Sequence, residues 1–145
     1  MLKLTKKEIF KLNKNLNLQD VVNDIADATV QDIISGIENS TDINNRPFKR
    51  LKPATIKAKK RKGSKTPTKP LLDEGKMKNV YVKKRATQSS KRATISVNQR
   101  DRAVPSIVHN EGLDPMPKRE WFGYSKRMDK KANIIAKEHI RNALK

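Results

Sequence analysis

Side chains with acid–base or nucleophilic potential are few in this sequence, and they are scattered. His109 and His139 stand thirty residues apart and share no metal-ligand spacing. The run His109-Asn110-Glu111 is the one local grouping that resembles an acid–base set. The plainer reading is a histidine on a short helix, bonded to nearby backbone. Asp73 and Glu74 are adjacent, and adjacent residues on a helical turn do not face each other, so they read as a cap and a solvated acid. Ser64, Ser89 and Ser90 fall in polar stretches with no base nearby. Cysteine is absent, which excludes a disulfide framework, a thiol nucleophile and a Cys-based zinc site. With no Gly-rich phosphate loop either, the expectation is a protein that is not an enzyme and carries no cofactor or metal.

What the chain has in abundance is positive charge. It holds 34 Lys and Arg against 15 Asp and Glu in 145 residues, a net charge of +19. Chains of this kind work beside polyanions or inside assemblies. The charge is also unevenly placed. From Asn17 to Asn39 there are five acids (Asp20, Asp24, Asp27, Asp32, Glu38) and no Lys or Arg. From Arg46 to Ala93 there are 18 Lys and Arg against two acids. The acidic and basic segments suit attraction within one chain or between neighbouring copies, which marks Asp20, Asp24, Asp27 and Asp32 as interface candidates. Their basic counterparts are Lys57, Lys59, Lys60, Arg61, Lys62 and Lys65. Lysines set against phosphates would also give salt-dependent DNA contact. The six aromatic residues, however, are not spaced as a base-stacking platform, and no sequence-reading motif is present.

The elements that must position these residues follow from hydrophobic spacing. Val22, Ile25, Ala26, Val30, Ile33 and Ile37 recur mostly at three- and four-residue steps, predicting a helix that opens at Asn17 or Gln19 and is ended by Asn39, Ser40 and Asp42. Leu2, Leu4, Ile9, Phe10 and Leu12 predict a short preceding element that packs on the rest or reaches a neighbour. Residues 41–70 carry Pro47, Pro53, Pro67 and Pro70 and read as an extended basic arm, with a short helix from Pro53 to Lys60 and a flexible loop from Lys59 to Lys69. Leu71 to Met77 reads as one helical turn. Val80 and Val82, then Ala93, Ile95 and Val97, alternate with polar residues and predict an antiparallel hairpin. Val104 to Asn110 reads as a helix closing at Gly112. After Pro115 and Pro117, the cluster Trp121-Phe122-Gly123-Tyr124 reads as an edge strand that fills the core, with Trp121 and Phe122 also suited to anchor an interface. Ser125 then caps a final helix to about Leu144, with Met128, Ala132, Ile135, Ala136, Ile140 and Leu144 on one face.

The expected architecture is α+β: a small antiparallel sheet packed against two long helices, with residues 1–16 as an N-terminal extension and 17–145 as one domain. Hydrophobic residues make up only 34% of the chain, so burial is expected to be completed by neighbours. The longest apolar runs fall far short of a membrane span, and no signal-peptide pattern opens the chain.

Four segments in order carry a family resemblance. They are Pro47-Phe48-Lys49-Arg50-Leu51-Lys52-Pro53-Ala54-Thr55-Ile56-Lys57; Lys69-Pro70-Leu71-Leu72-Asp73-Glu74-Gly75-Lys76-Met77; Ser106-Ile107-Val108-His109-Asn110-Glu111-Gly112; and Met116-Pro117-Lys118-Arg119-Glu120-Trp121-Phe122-Gly123-Tyr124-Ser125. The series resembles the phage virion morphogenesis family, the tail-completion proteins of Mu-like phages. Glu74 stands where that family has a small hydroxyl residue, Pro105-Ser106 where it has Tyr-Ala, and Trp121-Phe122 where it has an aromatic–Leu pair. The resemblance implies a structural protein of the phage neck, made in the host cytoplasm and carried in the virion. It would act in tail completion or head–tail joining as a homo-oligomeric ring around the DNA channel. Its partners would be further copies of itself and other neck, tail or connector proteins, with non-specific contact to genomic DNA and no membrane. Pro47, Phe48, Leu51, Thr55, Leu71, Gly75, Met77, His109, Gly112, Pro117, Arg119 and Gly123 would then be structural motif positions. The alternative reading is a basic protein that binds or condenses nucleic acid without sequence preference.

Overall fold

A computed structural model of the chain describes residues 3–73, 75–97 and 103–145, so Leu2 and Glu74 lie outside the described residues. Within them are five α-helices and one two-stranded antiparallel sheet, an α+β fold with two long helices.

Helix α1 (Lys6–Asn15) opens with a capping box in which Thr5 and Glu8 bond reciprocally. Helix α2 (Leu18–Glu38) starts where the Asn17 side chain accepts the Gln19 N–H, at 3.0 Å. It ends at Asn39, after which Ser40 takes a left-handed φ of 56° and turns the chain back. Helix α3 (Pro53–Arg61) has proline in its first turn, where the missing N–H costs nothing. Helix α4 covers Ala103–Glu111, starting slightly before the expected position. Helix α5 (Lys126–Leu144) is capped by Ser125, whose Oγ accepts the Met128 N–H.

Strands β1 (Val80–Lys84) and β2 (Thr94–Val97) pair with Val80 opposite Val97 and Val82 opposite Ile95. These four apolar residues therefore share one face, and it packs on the core while Tyr81 points outward. The core gathers Val30, Ile33 and Ile37 of α2 with Phe48, Leu72, Met77, Val80 and Trp121. Burying a side chain such as Ile37, which is fully enclosed, contributes about 1.5–3 kcal/mol. The sheet lies on α2, α5 runs antiparallel beside α2, and α1 packs on α5. Residues 3–16 thus fold largely as a helix against the domain: Lys11 Nζ and Asn15 Nδ2 donate to the carbonyls of Leu144 and Ala143.

The aromatic cluster is not a strand. Trp121 enters the core from irregular backbone, because the Glu120 carbonyl accepts one N–H, from Ile43, and the Phe122 N–H turns instead to Asn110 Oδ1. No ladder propagates: the next backbone bond to Ile43 comes from the Lys126 N–H, already on helix α5, with Gly123 at φ 148° in between.

Candidate functional site

The acids of α2 are largely committed inside the subunit. Asp24 Oδ2 lies 2.7 Å from His139 Nε2, and Asp27 takes a two-pronged bond from Arg85 at 2.9 and 3.1 Å. Glu38 pairs with Lys78, which holds its carboxyl below the usual range. Asp32 corrects the interface expectation outright: it is 1% exposed. Its carboxylate accepts from Ser125 Oγ and from Arg127 Nε and Nη2, and Lys131 stands 3.8 Å away. Arg127 continues to the Asp42 carbonyl at 2.9 Å, locking α5 to the turn after α2. Gly36 makes room for this guanidinium, since a Cβ there would lie 2.8 Å from Arg127 Nη2. Asp20 alone of the four aspartates is exposed with no described side-chain partner.

The basic arm divides in the same way. Lys57, Lys60, Arg61, Lys62 and Lys65 are exposed, whereas Lys59 is buried at 8%. Lys59 is therefore removed from the interface set. Its Nζ donates to the carbonyls of Leu72 and Lys69, at 2.5 and 2.8 Å, and so closes the basic loop on itself. Thr66 Oγ1 donates to the same Leu72 carbonyl, and Lys69 Nζ reaches Glu38 O. What reads as a flexible loop is thus hydrogen-bonded to its own ends and to the last turn of α2. Trp121 fills the core as expected, 3% exposed and edge-on to Phe122 with ring centres 5.3 Å apart, and leaves the interface set.

The motif positions converge. Leu51, Thr55, Leu71, Met77, His109, Gly112, Pro117 and Arg119 line one groove of about 790 Å³, bounded by residues 49–52, α3, residues 71–73 and Met77, the end of α4 and the 112–119 crossing. Phe48 joins the core beside it, while Pro47, Gly75 and Gly123 sit elsewhere. Gly112 is required at the crossing: its φ is 71°, and a Cβ would lie 2.5 Å from the Lys118 Cβ and 2.7 Å from its backbone. The Arg119 N–H donates to the His109 carbonyl at 2.8 Å, which fixes that crossing on α4.

Arg119 dominates the electrostatics of this groove. It is 3% exposed, and Nε and Nη2 both donate to the Lys49 carbonyl, at 3.1 and 3.0 Å. Nη1 lies 3.5 Å from His109 Nδ1. Burial, then the Arg119 charge, pushes the His109 pKa down, so its ring stays neutral and can accept. Burial likewise pulls the Lys59 ammonium below its usual value, partly offset by Asp73. Among the described residues no carboxylate lies within ion-pair distance of Arg119 or Lys59. Such an arrangement can bind anions.

Three asparagine and aspartate clamps escaped the sequence reading. Asn23 exchanges two bonds with the Ala86 backbone, pinning the β1–β2 connection to α2. Asn110 receives the Phe122 N–H, and Asp42 Oδ1 accepts the N–H groups of Asn44 and Arg46. The signal available for the last was an Asp opening a turn-rich stretch. Among the described residues, no group of three or more His, Asp or Glu is placed to hold a metal ion, and no helix is long and apolar enough to cross a membrane. Compared with family models, with curated proteins and with solved structures, the chain matches none.

Proposed function

We propose that this chain is a structural subunit, not an enzyme, of the neck or head–tail connection of a tailed phage, acting in tail completion or head–tail joining as part of a homo-oligomeric ring around the DNA channel. In this reading it is assembled in the host cytoplasm and carried in the virion. The observation that carries it is the convergence of four separated motif segments on one groove. A chance series of short matches has no reason to assemble around a common feature. Support also comes from large apolar side chains left on the surface, including Phe10 at 70% and Ile134 at 64% exposure, which neighbouring subunits would cover.

A second reading, non-specific nucleic-acid binding, is favoured by the exposed cations Lys57, Lys60, Arg61, Lys62 and Lys65 on one segment. The two separate on the molar mass of the purified chain by light scattering, at low and high salt, with and without duplex DNA. A discrete multimer indifferent to DNA is the expected result. A monomer that binds any duplex, with affinity falling steeply as salt rises, would replace the neck reading with the second one.

A further inference from the structure

We propose that the groove beneath α3 is a docking site for an extended acidic segment of a partner protein, with carboxylates meeting its cations and intervening apolar side chains meeting its walls. The inference goes beyond the ring reading and stands without it.

Three observations define the occupant. The first is charge: among the described residues, six Lys and Arg line the groove against two acids, Asp73 and Asp114. The second is the state of its buried cation. A guanidinium has five N–H donors, and the described bonds of Arg119 occupy one on each nitrogen, leaving one further donor on Nη1 and one on Nη2. A carboxylate is the anion whose planar geometry matches that fork. The third is the wall: Leu51, Leu72, Pro115 and Met116 give an apolar lining, and Met116 is 43% exposed at the mouth. An unbranched methionine at such a mouth adapts to side chains of differing shape.

These features select among polyanions. A duplex offers phosphates on a rigid convex surface, which cannot follow a concave groove with apolar walls. A volume of about 790 Å³ instead suits a few residues of extended chain. A second copy of α2 is a poor occupant, because Asp24, Asp27, Asp32 and Glu38 already have partners within their own subunit. The occupant that fits the charge and the walls together is a segment of a different protein that alternates acidic and apolar residues.

The test uses the full chain and a dye-labelled peptide of alternating glutamate and leucine with blocked ends, read by fluorescence anisotropy. The same peptide with glutamine for glutamate should bind at least about tenfold more weakly. Arg50→Glu and Lys62→Glu reverse rim charges that make no described side-chain bond, so the fold is retained, and circular dichroism checks this. Each should weaken the glutamate peptide about tenfold, whereas Lys130→Glu on the exposed face of α5 should change it less than about twofold. No binding of the glutamate peptide, equal binding of the glutamine peptide, equal weakening by Lys130→Glu, or displacement by duplex DNA as efficient as by unlabelled peptide would each overturn the proposal.

Discussion

Asp32 and Arg119 are buried to nearly the same extent, 1% and 3% exposed, yet their surroundings are opposite. Asp32 has a hydroxyl, a guanidinium forked across both oxygens and a nearby ammonium. Arg119 has one backbone carbonyl, a neutral imidazole and no described carboxylate. Taking either charge out of water is costly, and only strong local bonding offsets that cost. The Asp32 centre recovers it within the subunit and serves as the fastening between α2, α5 and the turn at Asp42. The Arg119 centre leaves part of it unrecovered, which is the condition under which an anion arriving from outside gains most. Burial alone does not separate a structural charge from a binding one; the completeness of its partners does.

Replacing each centre in turn breaks or sharpens this contrast. Asp32→Ala should have the largest effect, lowering unfolding free energy by about 3–5 kcal/mol in urea melts, because Arg127 then loses its carboxylate partner while largely buried. A loss below about 1 kcal/mol would mean that water or Lys131 readily substitutes, and the contrast would fail. Arg119→Met should cost less, about 1–3 kcal/mol, since it orphans the Lys49 carbonyl yet also removes an incompletely paired charge. A cost equal to that of Asp32→Ala would place the two centres in the same class. The smallest expected effect is a pH slope from His109. Its folded pKa lies below its ordinary value of 6.5, so the unfolded chain takes up the proton first. The stability tied to neutral His109 is full above about pH 6.5 and is lost as pH falls through the folded value. Urea midpoints should therefore decline more steeply on acidification in the wild type than in His109→Gln, and parallel declines would contradict the buried neutral imidazole.

Periodicity and capping chemistry made much of this fold legible. The bounds of α2 and α5, both of their cap residues and the facing of Val80, Val82, Ile95 and Val97 all follow from local pattern. The burial of Asp32 is not legible, because charge counting treats every aspartate as surface. Thr29, Asp32 and Gly36, at three- and four-residue steps beside the apolar stripe, form a second buried row whose small and polar residues carry no hydrophobic signal. Trp121 reads as a strand residue from sequence because alternation over four residues cannot report whether a partner strand exists. The groove was invisible as such. Its walls come from segments up to seventy residues apart, and only their order, through the family resemblance, hinted that they belong together. Lys59 shows the same limit: nothing in a run of like charges distinguishes the one ammonium that turns inward.

That inward turn has a kinetic consequence. With Lys59 holding the carbonyls of Lys69 and Leu72, and Lys69 holding α2, the outward cations Lys60, Arg61, Lys62 and Lys65 ride on a segment already tied down. An encounter with an acidic surface then needs no prior ordering of this segment. The rate of capture is governed by long-range attraction and falls with ionic strength over a screening length of about 8–10 Å at near-physiological salt. The release rate, in contrast, is left to the short-range contacts within the groove.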